Sequence, residues 1–236
     1  MEITDRQGQI LNTIIEEYII RAQPISSKFL EKRYNFGICP ATIRIEMQKL
    51  TDQGYLWQRH TSAGRMPTDK AYRCFVDNLL EEKVSDFDEV FEIKKILRGE
   101  KGDIFNFAMD LAKFLATASS NFAVLHILRK NFFWKEGWGK LLKEPEFEDR
   151  KFVSNFTKFL ENFEKGIEEL NINSEIKIYI GRENPFPRAK DFSIIISKCH
   201  LPQKEEGRLA ILGPKRMAYQ KNISLLNSLA EILENF

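Results

Sequence analysis

The feature that most constrains this fold is a helix marked at both ends and followed at once by a short strand. Pro40 suits the first turn of a helix, because its missing N–H would be unpaired there anyway, and Gly54 suits the position just past the last turn. Ile43, Met47 and Leu50 recur at helical spacing and are expected to face inward. The outer face of this helix is then polar and basic, and it consists of Thr42, Arg44, Ile45, Gln48 and Lys49.

The segments around this helix complete a small module. Apolar residues at helical spacing over 5–21 predict an amphipathic first helix, and a short second helix follows Pro24. Residues 55–60 are typical of a strand, and 61–67 form a turn around a glycine. Three helices followed by such a turn predict a winged helix-turn-helix, with the turn as its wing, and a fourth helix closes the module near residue 80.

The rest of the chain is predicted to form a second domain of the α+β class. We assign residues 1–80 to the winged helix-turn-helix, 81–103 to a charged linker helix and 104–236 to the second domain. In that domain, three late strands (IKIYI, FSIII and RLAIL) are expected to form an antiparallel sheet. A long helix over 145–170 carries phenylalanines at helical spacing, which are more typical of a core than of a ligand pocket.

Catalytic and metal chemistry find little support in the sequence. Three scattered cysteines form no CxxC pair, and the three histidines lack a partner at the spacing of a helical metal pair. The glycines do not form a phosphate-binding loop, and Ser62 has only His60 nearby and no orienting carboxylate. We therefore predict a protein that is not an enzyme and that binds no metal and no cofactor.

The charge distribution and the lack of targeting signals indicate where the protein acts. No stretch reaches the roughly 20 apolar residues that cross a bilayer, and no secretory leader is recognisable, so we expect a cytoplasmic protein. The formal net charge is only +2. Basic residues nevertheless outnumber acidic ones between Pro40 and Arg73, which is where a DNA-binding surface would need them.

The third helix and the wing are predicted to bind double-stranded DNA. Arg44 can donate two hydrogen bonds to guanine, and Gln48, one turn further along, can pair with adenine. Lys49, Arg59 and Arg65 suit phosphates, as do the hydroxyl groups on the same surface. The alternative is a module of the same fold that makes only protein contacts. The predicted DNA-binding residues are Thr42, Arg44, Ile45, Gln48, Lys49, Arg59, His60, Thr61, Ser62 and Arg65.

Several stretches of the chain resemble one bacterial family. PATIRIEMQKL followed by TSAGRMPTDKAYR, then GWGKLLKEPEFED, IGREN and GRLAILGPKRMAYQKNI, are similar to signatures of the HrcA family of heat-inducible transcription repressors. The resemblance implies a homodimer that binds an inverted-repeat operator ahead of chaperone genes. It also implies that the chaperonin is a partner, that heat relieves repression, and that the second domain is GAF-like. The competing function is a sensor or chaperone-interacting adaptor that keeps the fold without binding DNA.

The chain departs from this family at three places. Only RKNFFWK separates Leu128 from Glu136, so the family's inserted dimerisation domain and part of its GAF-like sheet are expected to be absent. Ile45 stands where the family commonly has Asn, and it could contact a thymine methyl group instead. Cys39 replaces a serine that would cap the third helix, a loss worth about 0.5 to 2 kcal/mol.

Overall fold

The computed structural model describes residues 3–60, 63–81, 103–170, 172 and 176–234. The chain divides into two compact units, Met1–Glu82 and Lys83–Phe236. The linker helix predicted at 81–103 falls almost entirely outside the described residues. None of the helices in the described part of the chain is both long and apolar enough to span a membrane.

The described residues of the N-terminal unit form four helices and one β-hairpin. Its elements are α1 (Asp5–Arg21), α2 (Ser27–Arg33), α3 (Pro40–Asp52), β1 (Leu56–Gln58), β2 (Arg65–Pro67) and α4 (Asp69–Glu81). The Thr4 side chain and Gln7 form a reciprocal capping box at the start of α1, and Ser26 caps α2. The end of the predicted turn is in fact a strand, since Arg65–Pro67 pairs with β1.

The core of this unit forms where the apolar faces of α1, α3 and α4 meet. The inward-facing residues predicted on α3 are all buried, because they share one face of the helix. Ile25, in the loop before α2, pairs with Arg65 of β2 and so adds a third short segment to the hairpin. The hairpin is thereby fixed to the loop between α1 and α2.

The C-terminal unit contains a five-stranded sheet and four helices among its described residues. Its elements are α5 (Ile104–Ser119), β3 (Phe122–Ile127), β4 (Phe132–Glu136), α6 (Trp138–Leu141), α7 (Arg150–Gly166), β5 (Ile176–Ile180), β6 (Phe192–Leu201), β7 (Glu205–Pro214) and α8 (Tyr219–Glu234). Short 3₁₀ turns at Pro145–Glu148 and Ile167–Glu169 flank α7. The predicted long helix at 145–170 is therefore three pieces, because Asp149 caps a new helix after the first turn.

All neighbouring strands of the sheet are antiparallel, in the order β4-β3-β7-β6-β5. The α+β class and the antiparallel pairing of the three late strands are confirmed. Helix α7 covers one face, while α5 and α8 pack on the other. The sequence pattern does not predict strand β4, because FFWKE lacks the alternation of apolar and polar residues that marks a half-buried strand.

The phenylalanines of α7 form the core between this helix and the sheet. Phe156, Phe159 and Phe163 have no exposed surface. The ring of Phe159 stacks on that of Phe192 in β6, with the centroids 5.3 Å apart. The interpretation of these residues as core is confirmed.

Candidate nucleic-acid interface

Helix α3 turns its polar face to solvent, as its spacing predicts. Arg44, Gln48 and Lys49 are exposed, and Ile45 leaves 54% of its surface exposed, while Thr42 is half-buried. Arg44 forms no hydrogen bond or ion pair with any residue that the structure describes. This guanidinium is thus available to a ligand at no cost in broken contacts.

The side chain of Lys49 is hydrogen-bonded to the preceding turn of its own helix. Its ammonium group donates to Glu46 Oε1 at 3.0 Å, and Gln7 donates to the other oxygen of the same buried carboxylate at 2.8 Å. These hydrogen bonds from Lys49 and Gln7 lower the pKa of Glu46, so the carboxylate stays charged. Lys49 therefore presents a partly neutralised charge to the solvent.

Gln48 has both ends of its amide engaged within the protein. Its Nε2 donates to Asp52 Oδ1 at 2.8 Å, and its Oε1 accepts from Arg65 Nη2 at 2.8 Å. The Asp52 contact follows from i,i+4 spacing on the helix, so the sequence could have indicated it. The Arg65 contact joins α3 to the hairpin, and no local pattern signals it.

Arg65 is buried, whereas the sequence pattern predicts it on the exposed wing. Only 6% of its surface is exposed, and its Nε donates to Thr51 Oγ1 at 2.9 Å. Burial lowers the pKa of Arg65, the nearby charge of Arg44 lowers it further, and Asp52 opposes the shift. The Arg65 guanidinium is therefore hydrogen-bonded to α3 in this structure, and its phosphate contact stays a prediction.

The remaining predicted residues lie at or beyond the end of β1. Arg59 and His60 are exposed, whereas Thr61 and Ser62 lie outside the described residues. Trp57, which no motif singled out, leaves 50% of its surface exposed on the same strand. Strand alternation places Trp57 on the face opposite the buried Leu56, so the period-2 pattern was the available signal.

The described part of the chain also bears on a metal site and on the role of His126. No group of three or more His, Cys, Asp or Glu side chains there is arranged to hold a metal ion. His126, the histidine of β3, is completely buried with Phe133 stacked on its ring at 4.0 Å, and it is a core residue.

The fold and this surface together define a two-unit α+β protein whose N-terminal unit exposes a polar helix face, with Arg44 on it, next to a hairpin. Residues 63–223 match the family described as HrcA protein C terminal domain. The chain belongs to the HrcA family. This match begins inside the hairpin and runs through the whole sheet to α8.

Several proteins that are similar along the whole chain are named heat-inducible transcription repressor HrcA. A heat-inducible transcription repressor HrcA from Natranaerobius thermophilus is 28% identical, with 99% of this chain and 96% of that protein covered. One from Thermoanaerobacter pseudethanolicus is 29% identical, with 100% and 97% covered. That second alignment runs over 333 residues, so the relative has many positions without a counterpart among the 236 residues here.

The fold is also found in a solved crystal structure. A crystal structure described only as that of a hypothetical protein superposes with a TM-score of 0.80 at 21% identity, covering 99% of both chains. This likeness concerns the fold alone.

Proposed function

We propose that this chain is a heat-shock transcription repressor whose N-terminal unit is a winged helix-turn-helix that binds operator DNA. The observation that carries the proposal is the exposed face of α3, where Arg44, Ile45 and Gln48 lie side by side next to a hairpin. A helix of this size fits the major groove, where side chains reach base edges. The similarity to proteins named heat-inducible transcription repressor HrcA supports the same role.

Each exposed residue has a contact that its chemistry favours. Arg44 donates to guanine, and the exposed Ile45 packs on a thymine methyl group. Arg59, His60 and Lys49 lie where they could neutralise or bond phosphates, and Thr42 could donate its hydroxyl to one. Thr61 and Ser62 stay predictions for the tip of the wing.

The proposed repressor acts as a homodimer on an inverted repeat ahead of chaperone genes. One reading helix contacts only a half-site, so two copies are needed, with half-sites one helical turn or a multiple of it apart. We assign dimerisation and regulation to the C-terminal unit, as a reduced GAF-like domain, with the chaperonin as its partner. Sedimentation of the protein with and without operator DNA tests this, and a monomer in both samples would contradict it.

Titration of DNA from upstream of the chaperonin genes against scrambled DNA tests the whole proposal. We expect tighter binding to the operator, with an affinity that falls steeply as salt rises, because phosphate contacts release counterions. Arg44→Ala should weaken operator binding by about 1 to 3 kcal/mol and relax base choice at one position. Lys158→Ala, an exposed basic residue of α7, is the charge-matched control and should behave as wild type.

Three outcomes would contradict parts of the proposal. Equal losses on operator and scrambled DNA would make Arg44 a phosphate contact. Binding that ignores salt, or no preference for any upstream sequence, would contradict DNA recognition altogether. Either of these two results would favour the competing function, an adaptor that retains the fold and contacts another protein.

A further inference from the structure

We propose that Arg65 is a positioning residue for base recognition, which holds the Gln48 amide in the orientation that matches an adenine edge while itself staying inside the protein. The inference rests on the proposed function and assigns Arg65 a role that differs from a phosphate contact. Through Arg65, the hairpin would then contribute to base recognition by α3.

The geometry is a chain of four hydrogen bonds that ends on the exposed face of α3. Thr51 Oγ1 accepts from Arg65 Nε at 2.9 Å and itself donates to the carbonyl oxygen of Met47 at 2.8 Å. Arg65 Nη2 donates to Gln48 Oε1, and Gln48 Nε2 donates to Asp52 Oδ1, both at 2.8 Å. Only the last two residues of this chain, Gln48 and Asp52, are exposed.

The chemistry of the partners decides which way the amide points. A guanidinium can only donate, so it must face the amide oxygen of Gln48. An ionised carboxylate can only accept, so Asp52 must face the amide nitrogen. A flipped amide would place two donors against each other on one side and two acceptors on the other, and the flip is therefore opposed from both sides.

The fixed amide keeps the hydrogen-bonding capacity that adenine needs. Its oxygen has a second lone pair and its nitrogen a second hydrogen, since each atom uses only one in these contacts. Adenine presents an acceptor at N7 and a donor at N6 in the major groove, whereas guanine presents two acceptors. A side chain already held in place also loses less rotamer freedom on binding.

Main-chain hydrogen bonds hold Arg65 in the position from which it contacts Gln48. Its N–H and C=O pair with those of Ile25 at 2.8 and 2.9 Å, which fixes β2 against the loop before α2. Arg65 and Arg44 lie close enough for the charge of Arg44 to act on the Arg65 guanidinium. The exposed arginine and the buried one thus serve the same face of α3 in different ways.

The test measures binding of the full chain to the operator and to operators substituted one base pair at a time. Gln48→Ala identifies the position that Gln48 reads. Arg65→Met should lower the adenine preference at that position to the level of Gln48→Ala, with the salt slope unchanged. The double variant should show no further loss of preference, because both changes remove the same contact.

Other results would overturn the inference. If Arg65→Met weakens binding equally on all sequences and lowers the salt slope by about 1, Arg65 is a phosphate contact. If it keeps the wild-type preference, or if Gln48→Ala changes no base choice, the positioning role is wrong although operator binding stands. A wild-type protein with no sequence preference at all would instead contradict the proposed function.

Two milder variants keep the test usable if Arg65→Met fails to fold. Asp52→Ala frees the nitrogen side of the amide at an exposed position, and Thr51→Val removes the acceptor for Arg65 Nε at nearly constant volume. Both should reduce the adenine preference, and wild-type preference in both would contradict the proposal. Asp77→Ala on α4 is the control for loss of one exposed acidic charge.

Discussion

A Cβ atom on Gly64 would lie 2.6 Å from both the carbonyl carbon and the carbonyl oxygen of Pro24. The hairpin thus reaches the loop before α2 only because residue 64 has no side chain. Gly64→Ala should separate the two segments and lower the free energy of unfolding by about 1 to 3 kcal/mol, as in other overpacked sites. Urea unfolding followed by circular dichroism measures the change.

Gly8→Ala is the matched control in the same unit. Gly8 lies in α1, and a Cβ there would meet nothing within 4 Å. Alanine in a helix is favoured over glycine by about 0.5 to 1 kcal/mol, so this variant should be slightly more stable. Equal stability of Gly64→Ala and wild type would mean that the Pro24 backbone can move away freely.

Helix α3 begins without a side-chain cap. Cys39 occupies the capping position with extended backbone angles, and its side chain bonds no backbone N–H of the first turn. Cys39→Ser should supply that bond and stabilise the protein by about 0.5 to 2 kcal/mol. Cys74→Ser, in the interior of α4, cannot cap and should give no gain. Similar changes for both serines would rule out capping as the cause.

The local parts of the fold were predictable, and the contacts between elements were not. Pro40 predicts where α3 begins and Gly54 where it ends, because the backbone constraints of both residues act locally. Gly64 and Arg65 suggested an exposed, phosphate-binding loop, yet both are fixed by segments distant in sequence, Pro24 and α3 respectively. The residue type shows which ligands a side chain can bind. Whether the side chain remains available for a ligand depends on its tertiary contacts, which the local sequence does not reveal.

Burial of His126 predicts acid sensitivity of the C-terminal unit. Burial lowers the pKa of His126, and the charge of Glu168, with Oε1 3.6 Å from Nε2, only partly opposes this. Because the unfolded chain takes up a proton more readily than the folded one, stability is present above the ordinary histidine pKa and is lost as the pH falls. Unfolding midpoints should therefore drop between about pH 7 and pH 5.

The variant His126→Phe isolates this contribution. It retains a ring against Phe133 and removes the titrating group, so its unfolding midpoint should depend less on pH over this range. His200→Asn, at an exposed position of β6, should keep the wild-type dependence. Identical pH profiles for wild type and His126→Phe would show that other groups cause the acid sensitivity.

Arg216 joins the segment after β7 to the 3₁₀ turn before α7. Its Nε lies 2.5 Å from Glu146 Oε1, its Nη2 lies 2.8 Å from Glu146 Oε2, and Glu144 also accepts from Nη2. Burial lowers the pKa of Arg216, but the hydrogen bonds and charges of Glu146 and Glu144 outweigh burial and raise it. The three side chains therefore act as one charged cluster.

Removal of Arg216 should destabilise the sheet unit. Arg216→Met leaves two carboxylates facing each other, and since both are partly exposed we expect a loss of about 2 kcal/mol, below that of a fully buried pair. Arg216→Lys should recover only part of it, because an ammonium group cannot match the two parallel bonds to Glu146. Arg150→Met removes an exposed arginine as the control. Full recovery with lysine would mean that charge alone, without the paired geometry, holds these segments together.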